Sequence, residues 1–392
     1  MKITAIKTFI CHVYRTNWVF VKVQTDEGVH GVGEATLEYR ELTVAQAILE
    51  LERKLIGRNP HEIEAIWHEC YRDTYFRGGP VNMSALSGVE MALWDIKGKA
   101  LGVPVYQLLG GRVRDRVPCY ANGWFSPART PDEFAAKAKE AVALGFQGLK
   151  WDPFGKAYLT IGKAELRQAL RCVEAVVEAV GDQIEVLVEG HGRFNVATAV
   201  QIGRALESCD VTWFEEPVPP DNLEALADVK QRVRVPIAAG ERLYSRWEYQ
   251  QFFRLRCADF AQPDLSHVGG IGEARKIAAQ AEAEHLALCP HNPSGPVANA
   301  ATLQLAACTP NFHLLETMTV DVPWRKNISN EAIVFADGAM RIPDRPGLGI
   351  ELDEAAIAEH PYEPCDLRHY RGDLTDIRPA NAVPWYENGG EA

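Results

Sequence analysis

From residue 150 onward, ionisable side chains recur at nearly constant spacing, each closing a short and largely apolar run: Lys150, Glu189, Glu215, Glu241, Asp264, His291 and Glu316. From Glu189 to Glu316 the steps are 26, 26, 23, 27 and 25 residues. Each step is about the length of one strand, one helix and their loops. The runs, at 148–151, 184–188, 212–214, 235–239, 259–263, 286–290 and 312–315, read as short strands buried on both faces. Repetition of this unit predicts an α/β fold in which parallel strands close into a barrel. An open doubly wound sheet is the rival, but its glycine fingerprint is missing, because Gly31 and Gly33 fall inside a hairpin rather than between strand and helix.

With 392 residues the chain exceeds what one hydrophobic core usually organises, so a second unit is expected. Its first 35 or so residues alternate as strands, with 19–25 and 29–35 flanking Asp26-Glu27-Gly28, whose glycine suits a tight turn. From Val44 to about Leu101 the apolar period becomes helical, and Gly102-Val103-Pro104 ends it. Strands followed by helices predict an α+β capping domain over 1–120. The barrel is expected at 121–325, entered through the capping box Thr130-Pro131-Asp132-Glu133, which opens a helix to about Leu144. Residues 326–392 are irregular and polar and are expected to pack back on the capping domain.

A formal net charge of −12 without any basic run argues against a nucleic-acid partner. Acidity does not exclude an anionic substrate, since local cations set the field inside a cleft. Nine cysteines without a C-x-x-C pair point to a reducing cytoplasm. The start, Met1-Lys2-Ile3-Thr4, does not read as a signal peptide, and no apolar run reaches the 18 or so residues of a membrane span.

In a parallel barrel the carboxyl ends of the strands converge on one site. Glu189, Glu215 and Glu241, on consecutive strands, would then bring three carboxylates around one point, where their repulsion calls for a cation. An all-oxygen ligand set favours Mg²⁺, with Mn²⁺ next, over zinc. Glu216 competes with Glu215, and strand alternation lets only one of them face inward; Glu215 is the expected ligand.

The series Glu189, Glu215-Glu216-Pro217, Gly240-Glu241-Arg242, Gln262-Pro263-Asp264 and His291 resembles the mandelate racemase branch of the enolase superfamily. Ala92-Leu93-Trp94-Asp95-Ile96-Lys97-Gly98-Lys99 and Pro346-Gly347-Leu348-Gly349 extend the likeness over the whole chain. Within that branch, Val117 to Trp124, Lys150-Trp151-Asp152-Pro153-Phe154-Gly155 and Glu189-Gly190-His191-Gly192-Arg193-Phe194-Asn195 are similar to gluconate dehydratases, and the stretch around His191 to galactonate dehydratases. The resemblance implies a (β/α)7β barrel, Mg²⁺, and abstraction of the proton beside a substrate carboxylate. His291 would be the base, with Asp264 fixing its tautomer. Lys150 would stabilise the enediolate. His191, two residues past Glu189, would protonate the leaving hydroxyl, the plain alternative being a helix cap. Glu316 matches the position that contacts the substrate carboxylate, where it would need to be protonated.

Racemases of the branch resemble one another in a Lys-x-Lys pair, whereas this chain reads Lys150-Trp151-Asp152. Racemisation through two lysines is therefore disfavoured, and Asp152 is expected to hydrogen-bond a polyol hydroxyl. Residues 14–19 are expected to form a lid in which Trp18 shields the cleft. The reading is an Mg²⁺-dependent dehydratase of a sugar acid such as gluconate or galactonate, yielding a 2-keto-3-deoxy acid. Its alternatives are an epimerase or cycloisomerase using the same enediolate, or a non-catalytic sugar-acid-binding relative. The resemblance also implies a homo-oligomer, a dimer or an octamer. One departure stands out: the first metal ligand is Glu189, where many relatives carry Asp.

Overall fold

The computed structural model describes residues 1–330, 333–367 and 378–388, so 331–332, 368–377 and 389–392 of the expected C-terminal segment lie outside the described residues. Three antiparallel strands come first, β1 (Ile3–His12), β2 (Asn17–Thr25) and β3 (His30–Glu34), in that order in the sheet. Helices α1 (Glu41–Leu55) and α3 (Pro80–Leu101) cover the sheet, and α2 (Ile63–Arg72) packs on both of them. Val19, Val21 and Val23 of β2 alternate onto the face that packs on Val44, Ile48, Val89 and Ala92. Each such aliphatic side chain, fully withdrawn from water, stabilises the unit by about 1.5–3 kcal/mol. A one-turn helix, α4 (Val105–Leu108), leads out of it.

The barrel has eight parallel strands, β4 (Arg116–Asn122), β5 (Gly148–Trp151), β6 (Glu185–Glu189), β7 (Trp213–Glu215), β8 (Ile237–Ala239), β9 (Phe260–Ala261), β10 (Ala287–Leu288) and β11 (Leu315–Met318). It closes where β11 pairs β4, Leu315 opposite Cys119, and where Leu288 bridges Phe312. Seven helices connect the strands: α5 (Pro131–Ala143), α6 (Lys163–Val180), α7 (Val196–Leu206), α8 (Leu223–Arg232), α9 (Arg246–Arg254), α10 (Ile271–Ala283) and α11 (Pro296–Cys308). The fold is thus the expected (β/α)7β barrel with a capping domain. Its first stave, β4, escaped the list of apolar runs because Arg116, Pro118 and Asn122 interrupt it. The last stave begins at Leu315, where the sequence reading ended it.

Local chemistry explains how the two domains dock. Helices α5, α7, α8 and α9 are capped by their own Thr130, Asn195, Asn222 and Ser245. By contrast, α10 and α11 begin after Gly270 and Gly295, which bring no side chain. Carboxylates of the capping domain take that place. Glu90 of α3 accepts from Ile271 N (2.8 Å) and Gly272 N (2.7 Å), and Glu34 of β3 accepts from Gly295 N (2.7 Å) and Ala298 N (2.9 Å). Burial raises both groups, Glu90 to about 8 and Glu34 to about 7, so their part is to accept from N–H groups that the helix itself leaves without a partner. Glycine is required at 270, where φ is +92° and a Cβ would stand 2.1 Å from Glu90 Oε2.

Beyond the barrel the chain turns back. A hairpin, β12 (Val334–Ala336) and β13 (Ala339–Arg341), pairs with the start of β4. Leu348 N then donates to Asp95 Oδ1 (2.8 Å), and Glu351 takes Lys99 (2.6 Å) and His30 (2.8 Å) of the capping domain.

Candidate active site

Three carboxylates meet at the mouth of the barrel. Glu189 ends β6, Glu215 ends β7, Glu241 follows β8, and one oxygen of each lies within 4.8 Å of the others. Glu216 turns away: with φ at +38° it leaves the strand path and forms a bidentate pair with Arg242, Nε to Oε1 at 3.1 Å. Burial first, and the neighbouring carboxylates after it, push Glu189, Glu215 and Glu241 above the ordinary carboxylate range. Lys150, 3% exposed, is their counter-charge, with Nζ 2.7 Å from Glu215, 3.0 Å from Glu316 and 3.4 Å from Glu189. Burial disfavours the ammonium, but these carboxylates outweigh it and keep its pKa well above the ordinary lysine range.

The buried Glu189 Oε2 has no hydrogen bond among the described residues beyond its ion pair with Lys150 at 3.4 Å. A carboxylate oxygen with lone pairs to spare beside two further carboxylates, with no histidine or cysteine among the three, suits a hard divalent cation such as Mg²⁺.

On one side of the triad His291 Nδ1 lies 2.7 Å from Asp264 Oδ2, and Nε2 lies 3.5 Å from Glu241. Burial opposes the charged imidazole, but Glu241, Asp264 and Glu316 favour it more strongly. On the other side His191 Nδ1 lies 2.7 Å from Asp152 Oδ2. His191 adopts φ of +50°, and Gly192, at +60°, packs so closely on Arg242 that a Cβ would meet Nη2 at 2.0 Å. The loop is tied down by His191 N to Glu189 Oε1 and Gly192 N to Glu216 O, each 2.7 Å. His191 follows the strand and caps no helix; Asn195 does that.

Glu316 closes the ring. Burial would raise it, but Lys150, His291, Asn292 N (3.0 Å) and Asn122 Nδ2 (2.7 Å) hold it well below the ordinary range. These cations and N–H donors favour its charged form, whereas the role expected for it on the substrate carboxylate would need the protonated one. Asn122 and Asn292 escaped the sequence reading because the strand-end rule looked for ionisable residues; Asn122 sits at the end of the first stave, one step before Lys150.

Two further expectations are corrected. Trp18 does not shield the cleft: it is 2% exposed, points into the core, and lies under the Arg325 guanidinium at 5.4 Å. On β2 its side chain takes the inward register, so the lid is built instead by Arg15, Leu37, Glu38, Tyr39 and Leu367. Asp152 lines the cavity, but its carboxylate is engaged by His191, Arg193 and Phe154 N rather than turned to an incoming hydroxyl. The cavity measures about 280 Å³. Arg15 and Glu38 pair across its lid at 2.7 and 3.1 Å. His267, also on its wall, bonds Ser84 Oγ at 2.9 Å.

A (β/α)7β barrel whose mouth holds three clustered carboxylates, a lysine and a histidine–aspartate pair, under a separate α+β cap, defines a class of acid–base enzymes. Residues 2–110 match the mandelate racemase/muconate lactonizing enzyme N-terminal domain, and 133–356 the enolase C-terminal domain-like family. The chain belongs to the mandelate racemase branch of the enolase superfamily. It is 39% identical to a D-gluconate dehydratase of Thermoproteus tenax over 89% of this chain and 71% of that protein. It is also 39% identical to a D-galactonate dehydratase of Pectobacterium atrosepticum, over 94% and 97%. Among solved structures, an enolase superfamily member from Salmonella Typhimurium superposes with a TM-score of 0.88 at 31% identity, covering 92% of this chain and 98% of that one. A mandelate racemase/muconate lactonizing enzyme-like protein from Roseovarius sp. TM1035 gives 0.88 at 32%, covering 98% and 100%.

Proposed function

We propose that this protein is a Mg²⁺-dependent aldonic acid dehydratase, acting on a gluconate- or galactonate-like substrate. The observation that carries the reading is the pair of histidines, His291 on Asp264 and His191 on Asp152, set on either side of the carboxylate triad. Glu189, Glu215 and Glu241 would hold the cation. Bound there, Mg²⁺ would polarise the substrate carboxylate and offset the carboxylates that favour the charged form of His291.

His291 Nε2 takes the proton beside the substrate carboxylate, while Asp264 holds the ring by Nδ1. Lys150 faces the charge that builds on the carboxylate oxygens as the enediolate forms, already fixed in place and so at no cost of reorganisation. Glu316 anchors Lys150, with the amide of Asn122 behind it. His191 then protonates the β-hydroxyl, which departs as water, and the enol tautomerises to the 2-keto-3-deoxy acid.

The nine cysteines are all free, in keeping with a reducing cytoplasm. Among the described residues no helix is long and apolar enough to cross a membrane. A homo-oligomer completes the reading, with light scattering as its check. Function is tested by offering five- and six-carbon sugar acids with Mg²⁺ and trapping the keto product with semicarbazide. His291→Asn should abolish both product formation and C2 deuterium uptake in D₂O. Uptake without a carbonyl product would mark epimerisation instead, and full activity of the variant would remove His291 as the base.

A further inference from the structure

The fold places an unusual amount of structure behind His191. Asp152, whose side chain is 1% exposed, meets His191 through Oδ2 and accepts from Phe154 N through Oδ1 (2.8 Å). Arg193, fully buried, donates to that same Oδ2 and to two carbonyls, Gly155 O at 2.7 Å and Gly190 O at 3.1 Å. Its guanidinium therefore ties the loop after β5 to the loop after β6. We propose that Asp152 and Arg193 are positioning residues for His191, so that the aspartate standing where racemases carry their second lysine serves the acid and not the substrate. This rests on reading His191 as the acid.

Three arguments support the assignment. A buried carboxylate and a buried guanidinium each carry a large desolvation penalty, which only close mutual pairing and full hydrogen bonding offset. A polyol hydroxyl would have to compete with that arrangement for Oδ2. The contact also reproduces the other side of the site: His191 Nδ1 to Asp152 Oδ2 and His291 Nδ1 to Asp264 Oδ2 are both 2.7 Å. A carboxylate on Nδ1 fixes that nitrogen as the donor and leaves Nε2 as the nitrogen on the far side of the ring, from which a proton is delivered. Finally, the hydrogen bonds that tie this loop down are made by the backbone N–H groups of His191 and Gly192, whereas Asp152 holds the imidazole itself.

The step so supported balances without any further reactant. The C2–H electron pair becomes the C2–C3 double bond, the C3–O bond breaks, and the His191 Nε2 proton joins the departing oxygen to give water.

The test separates acid from base. In Asp152→Asn, elimination should fall by at least about 10²-fold, as when a histidine loses the carboxylate that sets its tautomer, while C2 deuterium uptake persists and KM stays within a factor of about two. A substrate whose β-hydroxyl is replaced by fluoride, which leaves without a full proton transfer, should recover most of the lost rate. Equal loss of exchange and elimination, a raised KM with kcat unchanged, or an unaltered enzyme would each overturn the proposal. Nitrogen NMR of the unsubstituted protein reads the same point without the variant: Nδ1 of His191 should be protonated, and an unprotonated Nδ1 overturns it even if Asp152→Asn fails to fold. If the unsubstituted enzyme neither exchanges C2–H nor turns over any aldonate, the dehydratase reading falls while the NMR result still judges the dyad.

Discussion

Lys150 shows what a single buried charge does in this protein. It touches Glu189, Glu215 and Glu316 at once, so it keeps three acidic groups together before any cation arrives. Lys150→Met should therefore destabilise the protein by about 3–5 kcal/mol in EDTA, the scale for stripping one partner from a buried ion cluster. Saturating Mg²⁺ should return part of that loss by neutralising two of the same carboxylates. Melting curves with and without Mg²⁺ decide the matter, and an identical loss in both would refute the counter-ion role. Legibility at this scale followed residue type. Carboxylates and imidazoles at strand ends announce themselves because no core tolerates them unpaired. Asn122 and Asn292 did not, since amides are common at strand ends for ordinary reasons. Trp18 misled because an aromatic side chain near a lid looks the same in sequence whether its register points in or out.

The docking of cap on barrel is an affair of elements, and two helix starts carry much of it. Removing Glu90 by Glu90→Ala leaves the first N–H groups of α10 buried without an acceptor, an expected cost of about 1–3 kcal/mol. Glu90→Gln keeps an acceptor and should cost less than half as much, a ranking that denaturant unfolding will read; equal costs would contradict the capping role. The returning C-terminal segment gives a pH prediction. Burial opposes it, but Lys99 and His30 hold Glu351 below the ordinary carboxylate range. Its contribution is thus fully present above the ordinary carboxylate pKa and is lost as pH falls through the lowered value. Being half exposed, the pair contributes less than about 1 kcal/mol. The melting difference between native protein and Glu351→Gln should be present at neutral pH and shrink as acid protonates the carboxylate; persistence in strong acid would count against it. The order of helices and strands was readable here from periodicity and caps. The contacts of Glu34 and Glu90 with α11 and α10 were not, because each joins residues about 180 or more apart.

For the whole molecule the closed barrel sets which groups face each other. Asp152 and His191 follow the second and third staves, Asp264 and His291 the sixth and seventh, and in an eight-stranded ring these stand opposite each other. With His191 as the proposed acid and His291 as the proposed base, this placement predicts an anti elimination. A complex of His291→Asn with its substrate should hold the C2–H and C3–OH bonds antiperiplanar, and a syn arrangement would sink the prediction.

The lid pair Arg15 and Glu38 then acquires a different significance. D-gluconate and D-galactonate share their configuration at C2 and C3 and differ at C4, so every group that makes or breaks a bond meets the same stereocentres in both. For the proposed substrates, discrimination would then fall to side chains that do no chemistry, and Arg15 and Glu38 of the capping domain line the cavity among them. Glu38→Gln should change the ratio of kcat/KM between the two acids while leaving C2 exchange intact; an unchanged ratio would place selectivity elsewhere. The seam between cap and barrel would then divide the labour: the proposed reaction on one side, and part of the choice of substrate on the other.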